Sequence, residues 1–214
     1  MSASRDINYK CPYCGKEFTI TIYDSVNGTT DPDLRDCCLS GDIFRHSCPH
    51  CHKDFMIQNE LVYMDPEHKF VIMVSSKECT TKDSPLFAPL KKKGYVLRRC
   101  PTVEEFIEKI QILEDGVSDV AVELAKYDSF IEYIDNRKGN PEDITSIEYG
   151  YMQEDVMKIN VRADDRSMSF LIPMQGLEEE IRAEQDLYTP DDVDFPCVNR
   201  DWIISLFTPK SGEA

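Results

Sequence analysis

CPYCGKEF at 11–18 and CPHCHKDF at 48–55 decide how this chain of 214 residues is read. In each stretch Cys-Pro-x-Cys is followed one residue later by Lys, then an acid, then Phe. A Cys-x-x-Cys loop curls both of its sulfurs toward one point, and proline preorganises the turn. Two such loops supply the four thiolates of a closed tetrahedral site with Zn–S near ~2.3 Å. Cys11, Cys14, Cys48 and Cys51 are therefore expected to bind one structural zinc ion (Zn2+) in a zinc-ribbon-like unit. The residue after the second cysteine commonly needs a positive φ, which suits Gly15 and is permitted for His52. The intervening 33 residues (15–47) exceed the usual spacing of about 15–20. Doubling a loop costs only about 0.6 kcal/mol, against roughly 10–16 kcal/mol for a small structural zinc site.

Other readings of the same residues stay open at this point. CPYC is also the active-site sequence of glutaredoxin-like thiol oxidoreductases, whose chemistry needs an apolar strand before the motif and a helix after it. Here polar NYK precedes and strand-like EFTITI (17–22) follows. Iron in a rubredoxin-like centre is the competing metal. A histidine from the group His46, His50 and His52 could replace one thiolate, while His68 lies in a turn with no evident partner. Cys37 and Cys38 diverge on an expected helix, and Cys79, Cys100 and Cys197 read as isolated thiols. Lys16 and Lys53 either offset the −2 charge of a four-thiolate zinc site or are ordinary surface lysines.

Outward from the knuckles, the first hundred residues read as small antiparallel β with one helical insertion. Asp31-Pro32 opens a short helix, with Asp31 as N-cap, and Gly41 ends it. Residues 43–47, 54–59 and 69–74 are expected strands. At Thr102 the pattern changes: Thr102 and Glu105 form a capping box, followed by Phe106, Ile107, Ile110 and Leu113 at helical spacing. Gly116 stops that helix and Ser118 caps the next. KGNPED (138–143) is the expected linker. Beyond it come strands at 145–151, 156–161 and 168–172, a helix at 176–185 and a last helix capped by Asn199. The SGEA end is expected to fray.

The fold class expected is α+β. A first domain spans 9–135, with the β unit at 9–75 and a helical part at 102–135, and an acidic α+β region spans 145–214. Residues 1–100 carry 14 Lys/Arg against 13 Asp/Glu, and residues 101–214 carry 10 against 27. That concentrated acidity makes the whole chain a poor generic nucleic-acid binder, because such affinity comes from neutralising phosphates with Lys and Arg. The near-neutral N-terminal half is not covered by that argument, and Lys91–Lys93 with Arg98 and Arg99 form its one basic run. No apolar run approaches the roughly 18 residues needed to span a bilayer, and the first residues lack a secretory core. A cytoplasmic location without membrane attachment is expected, where nine cysteines mean metal or redox chemistry more often than disulfides.

The two Cys-Pro-x-Cys motifs, together with DSVNGTTDPDLRDCCLSGDIFRHSCPHC (24–51) and LVYMDPEHKFVIMV (61–74), resemble the CpXC domain family of bacteria and archaea. The likeness covers roughly 9–135, and it implies that Cys11, Cys14, Cys48 and Cys51 are the family's four cysteines. Cys37, Cys38 and His52, where the family more usually has Gly, are departures. The family has no established activity, so the resemblance implies a module and not a task. No Gly-rich phosphate loop, G-x-S-x-G elbow or H-E-x-x-H is present. A non-catalytic binding or adaptor protein with a protein partner is expected; the alternatives are a nucleic-acid-contacting zinc ribbon and a thiol oxidoreductase. The sequence does not fix the oligomeric state.

Overall fold

The computed structural model describes residues 2–77, 87–136, 139–164, 166–191 and 193–208. The fold is α+β, in two compact units. Met1–Gln111 with Asp192–Pro196 form the first, and Ile112–Asp191 with Cys197–Ala214 form the second.

In the first unit β1 (Ala3–Lys10) and β2 (Glu17–Asn27) make a long antiparallel ribbon. Only Ser25–Asn27 of β2 reach β5 (Leu61–Asp65), so most of the ribbon is two strands wide. β5 pairs with β6 (Phe70–Val74), which pairs with β7 (Val96–Cys100), giving the order β1-β2-β5-β6-β7. Between β2 and β5 lie α1 (Pro32–Ser40), a 3₁₀ turn at Asp42–Phe44, and a small hairpin of β3 (Arg45–Ser47) with β4 (Asp54–Met56). The sheet is mixed, not purely antiparallel as the sequence led one to expect: β2–β5 and β6–β7 run parallel. Parallel strands need a long crossover, and the α1–β4 insertion supplies one. α2 (Ala88–Lys92) lies on the way from β6 to β7.

Alternation explains the sheet's core. Leu61 and Tyr63 on β5, and Phe70, Ile72 and Val74 on β6, are almost fully buried. α3 (Val103–Glu114) adds Phe106, whose ring meets Phe44 and Tyr63 edge-on at 5.9 and 6.0 Å. The expected cap at Thr102 is present, with the Glu105 N–H donating to Thr102 Oγ1 at 3.2 Å. Asp31 does not cap α1 with its side chain; its carboxylate instead accepts from the Ser2 and Thr30 hydroxyls. Gly28 is required by space, since a Cβ there would lie 2.0 Å from the Tyr63 hydroxyl. On the opposite sheet face, Val71 and Leu97 bury Phe195, which meets Phe87 edge-on at 4.7 Å.

The turn after β5 is held by one buried carboxylate. Asp65 accepts the Thr29 hydroxyl at 3.1 Å, the N–H groups of Glu67 and His68 at 2.9 and 3.1 Å, and His68 Nδ1 at 2.8 Å. Burial pushes this carboxyl upward, but the His68 ring and N–H and the Thr29 hydroxyl together hold it below the usual carboxylate range. A depressed folded-state value means stability that is present above the unfolded carboxylate pKa of about 3.9 and is lost as pH falls through the folded value. Asp65→Asn is therefore expected to cost about 2–3 kcal/mol at neutral pH. Urea midpoints across pH check this: the variant should lose less stability than the wild type on acidification below that value.

The second unit stacks helices on a three-stranded antiparallel sheet in the order β10-β9-β8. β8 (Ile144–Gln153), β9 (Val156–Ala163) and β10 (Ser167–Pro173) match the three expected strands. Met157, Ile159 and Val161 alternate into the core against α4 (Asp119–Asp135), α5 (Met174–Ala183) and α6 (Arg200–Phe207). Asn199 caps α6 by accepting the Trp202 N–H at 3.1 Å. The expected division at 9–135 and 145–214 kept α4 with the N-terminal region. Here it packs on β8 and β9, because Val120, Leu124 and Ala125 find their apolar partners there. Within KGNPED, Pro141–Asp143 form a 3₁₀ turn; Lys138, like Cys79 and the SGEA end, lies outside the described residues. Among the described residues no helix is long and apolar enough to cross a membrane.

Candidate metal centre

Each knuckle closes by the same two backbone bonds. Gly15 N–H donates to the Cys11 carbonyl at 3.0 Å and Cys11 N–H to the Lys16 carbonyl at 2.9 Å. In the second, His52 N–H donates to the Cys48 carbonyl at 2.9 Å and Cys48 N–H to the Lys53 carbonyl at 3.1 Å. The closure needs a left-handed residue after the second cysteine, and Gly15 (φ 72°) and His52 (φ 56°) both adopt it. β1 and β2 carry the first knuckle, and β3 and β4 carry the second.

The four sulfurs of Cys11, Cys14, Cys48 and Cys51 lie within 4.8 Å of one another. Cys11–Cys51 and Cys14–Cys48, each one thiol from either knuckle, are 3.7 Å apart. Tetrahedral thiolate ligation at a Zn–S length of about 2.3 Å has sulfur–sulfur edges of about 3.8 Å. A disulfide would require about 2.05 Å. The donor set and spacing thus fit a tetrahedral metal ion. Cys11 and Cys48 are buried, Cys51 is half-buried and Cys14 is exposed.

The repeated Phe of each motif lies behind the site. Tyr9 stacks on Phe55 at 5.2 Å, and Phe18 meets both rings edge-on. This apolar backing strengthens the electrostatics of the sulfur cluster. Burial would raise the Cys11 thiol, but N–H groups of Cys14 and Tyr13 and the Cys48 and Cys14 thiols bring it down to about 6. At Cys51 the Lys53 N–H lowers the value, yet burial and the three neighbouring thiols together push it up to about 11. Four sulfurs this close resist ionising together, and a cation is what lets them do so.

Of the other candidates, none of the four histidines joins this group among the described residues. His46 packs against Phe55, and burial lowers its pKa. Cys38 and Cys100 are buried thiols, and Cys37 and Cys197 are half-buried. Lys53 holds its ammonium 5.0 Å over the Tyr13 ring. No helix begins at the CPYC motif, since β2 follows directly. Within the basic run, Lys91 Nζ donates to the Val193 carbonyl at 2.7 Å and stands 4.0 Å from the buried Asp194 carboxylate. Arg99 donates to the Ser75 carbonyl. The sequence reading missed β1, whose polar SRDINYK gives little strand signal; its pairing becomes legible only from the ribbon geometry that the first knuckle imposes.

A family model described as CpXC protein matches residues 9–126, more than half of the chain and all four clustered cysteines. The chain belongs to the CpXC family. No curated protein and no solved structure matches it. In this CpXC protein the matched region runs from the ribbon into α4.

Proposed function

We propose that Cys11, Cys14, Cys48 and Cys51 bind one structural zinc ion, and that the chain is a non-catalytic binding or adaptor protein for another protein. The observation that carries the metal assignment is the pair of matched knuckles with sulfur–sulfur separations of 3.7 Å. Four thiolates fill a tetrahedral ion and leave no open position for substrate, which favours a structural role. Exposed Tyr13 on the first knuckle supports a protein partner, since aromatic side chains are enriched in interfaces. Metal analysis should return about one zinc per chain in a colourless protein. Because the ligands must be deprotonated, acidification should release the ion with uptake of protons. A folded, metal-free protein, or a coloured iron protein, would overturn the zinc assignment. Loss of partner capture on Tyr13→Ala, with zinc retained, tests the binding role.

The nucleic-acid alternative needs Lys91–Lys93, Arg98 and Arg99 facing phosphate, but Lys91 and Arg99 are already committed to neighbouring carbonyls. Its signature is binding that weakens steeply with salt.

A further inference from the structure

The five-stranded sheet has two edges, and they are treated differently. At β7, Arg99 donates its N–H to the Pro196 carbonyl at 3.2 Å, so the chain at Pro196 engages that edge. At β1, among the described residues, no backbone hydrogen bond outside the ladder with β2 engages residues 3–10.

The phase of the free groups follows from the first knuckle. Cys11 N–H donates to the Lys16 carbonyl, which makes 11 and 16 hydrogen-bonded partners. Antiparallel ladders alternate, so 9–18 and 7–20 are also hydrogen-bonded pairs, and 8–19 and 6–21 are not. Hydroxyls of Thr19 and Thr21 reach Asn8 and Asp6 across these closer, non-hydrogen-bonded pairs. The N–H and C=O groups of Asp6, Asn8 and Lys10 therefore point outward along the edge.

Proteins usually blunt an open edge with charge. Here the charges are self-complementary. We propose that β1 pairs antiparallel with β1 of a second copy, in the register that sets Asn8 against Asn8 across a two-fold axis. The outward-pointing groups of 6, 8 and 10 then meet in hydrogen-bonding phase. Asp6 faces Lys10 of the second copy, and Lys10 faces its Asp6. On the other face half-buried Ile7 and Tyr9 sit opposite one another, twice. The two neighbouring in-phase registers lack this match: one sets Asp6 against Asn8 and Lys10 against Ser4, the other sets Lys10 against Asn8 and Asp6 against Pro12; one step beyond the first, Asp6 meets Asp6. Opposite charges directly across a sheet stabilise a pairing and like charges destabilise it, so the edge selects both its partner and its register.

The test is the mass of the zinc-loaded full chain by sedimentation over a wide concentration range, with metal content measured on every sample. The wild type should approach twice 24.7 kDa. Asn8→Pro removes an outward N–H that no intrachain bond uses, so it should fold, hold its metal and stay monomeric. Asp6→Lys and Lys10→Asp should each weaken the dimer about tenfold or more, and the double exchange should restore it. A wild type monomeric at every concentration, or a dimer indifferent to Asn8→Pro and to the charge exchange, overturns the proposal. Metal loss without a change in mass would fault the zinc reading alone.

Discussion

Cys48→Ser is expected to abolish stoichiometric metal binding and to unfold both knuckles. Cys48 is buried, closes its loop through Lys53 and stands 3.7 Å from Cys14. Structural zinc contributes roughly 10–16 kcal/mol in small sites, comparable with the whole stability of an ordinary domain at about 5–15 kcal/mol. Few apolar side chains back the site, chiefly Tyr9, Phe18, Phe55 and Ile57. They cannot replace a contribution of that size. Hydrogen exchange should show protection lost over residues 9–18 and 44–57, while β6 keeps its own. Cys14→Ser separates the two causes, because Cys14 is exposed and its replacement leaves no cavity. Equal protection with and without metal would sink the structural role.

The second large effect is expected at Phe106. Its ring is fully buried between Phe44 and Tyr63, so Phe106→Ala removes a large side chain that packs α3 into the core of the first unit. Truncating a buried Phe costs about 3–5 kcal/mol, the spread reflecting how far the site can collapse. Tyr63 is already confined by the backbone at Gly28, which limits relaxation on that side. Urea unfolding should register the loss, whereas Ile204→Ala, at a 38% exposed position, should stay within about 0.5 kcal/mol. A change at Phe106 no larger than at Ile204 would mean that α3 is anchored elsewhere.

The knuckles were legible because their chemistry is local. Cys-Pro-x-Cys places two sulfurs, and the following residue must turn left-handed, which Gly15 and His52 do. Helix ends were legible for the same reason at Gly41, Thr102 and Asn199. The α+β class and the three C-terminal strands followed from hydrophobic period. The gathering of the four sulfurs into one cluster was inferred from spacing, and the structure brings them together.

What was not legible depends on pairing across long separations. Nothing in EFTITI or KFVIMV shows that β2 and β6 each take a parallel neighbour. Apolar alternation is the same for either direction. The affiliation of α4 was likewise hidden, because Val120, Leu124 and Ala125 fit any apolar surface and only the folded packing selects one. The role of Asp65 was hidden too, since DPEH reads simply as a turn and its four donors come partly from Thr29.

Residues 193–196 have a consequence for the order in which the protein can be made. They complete the first unit by covering Val71 and Leu97 with Phe195 and capping β7 at Arg99. A ribosome delivers β6 and β7 long before it delivers Phe195. Throughout that interval the nascent sheet carries an apolar face and an unsatisfied edge, the combination that makes folding intermediates prone to aggregate. The first unit to be synthesised is thus among the last to be finished.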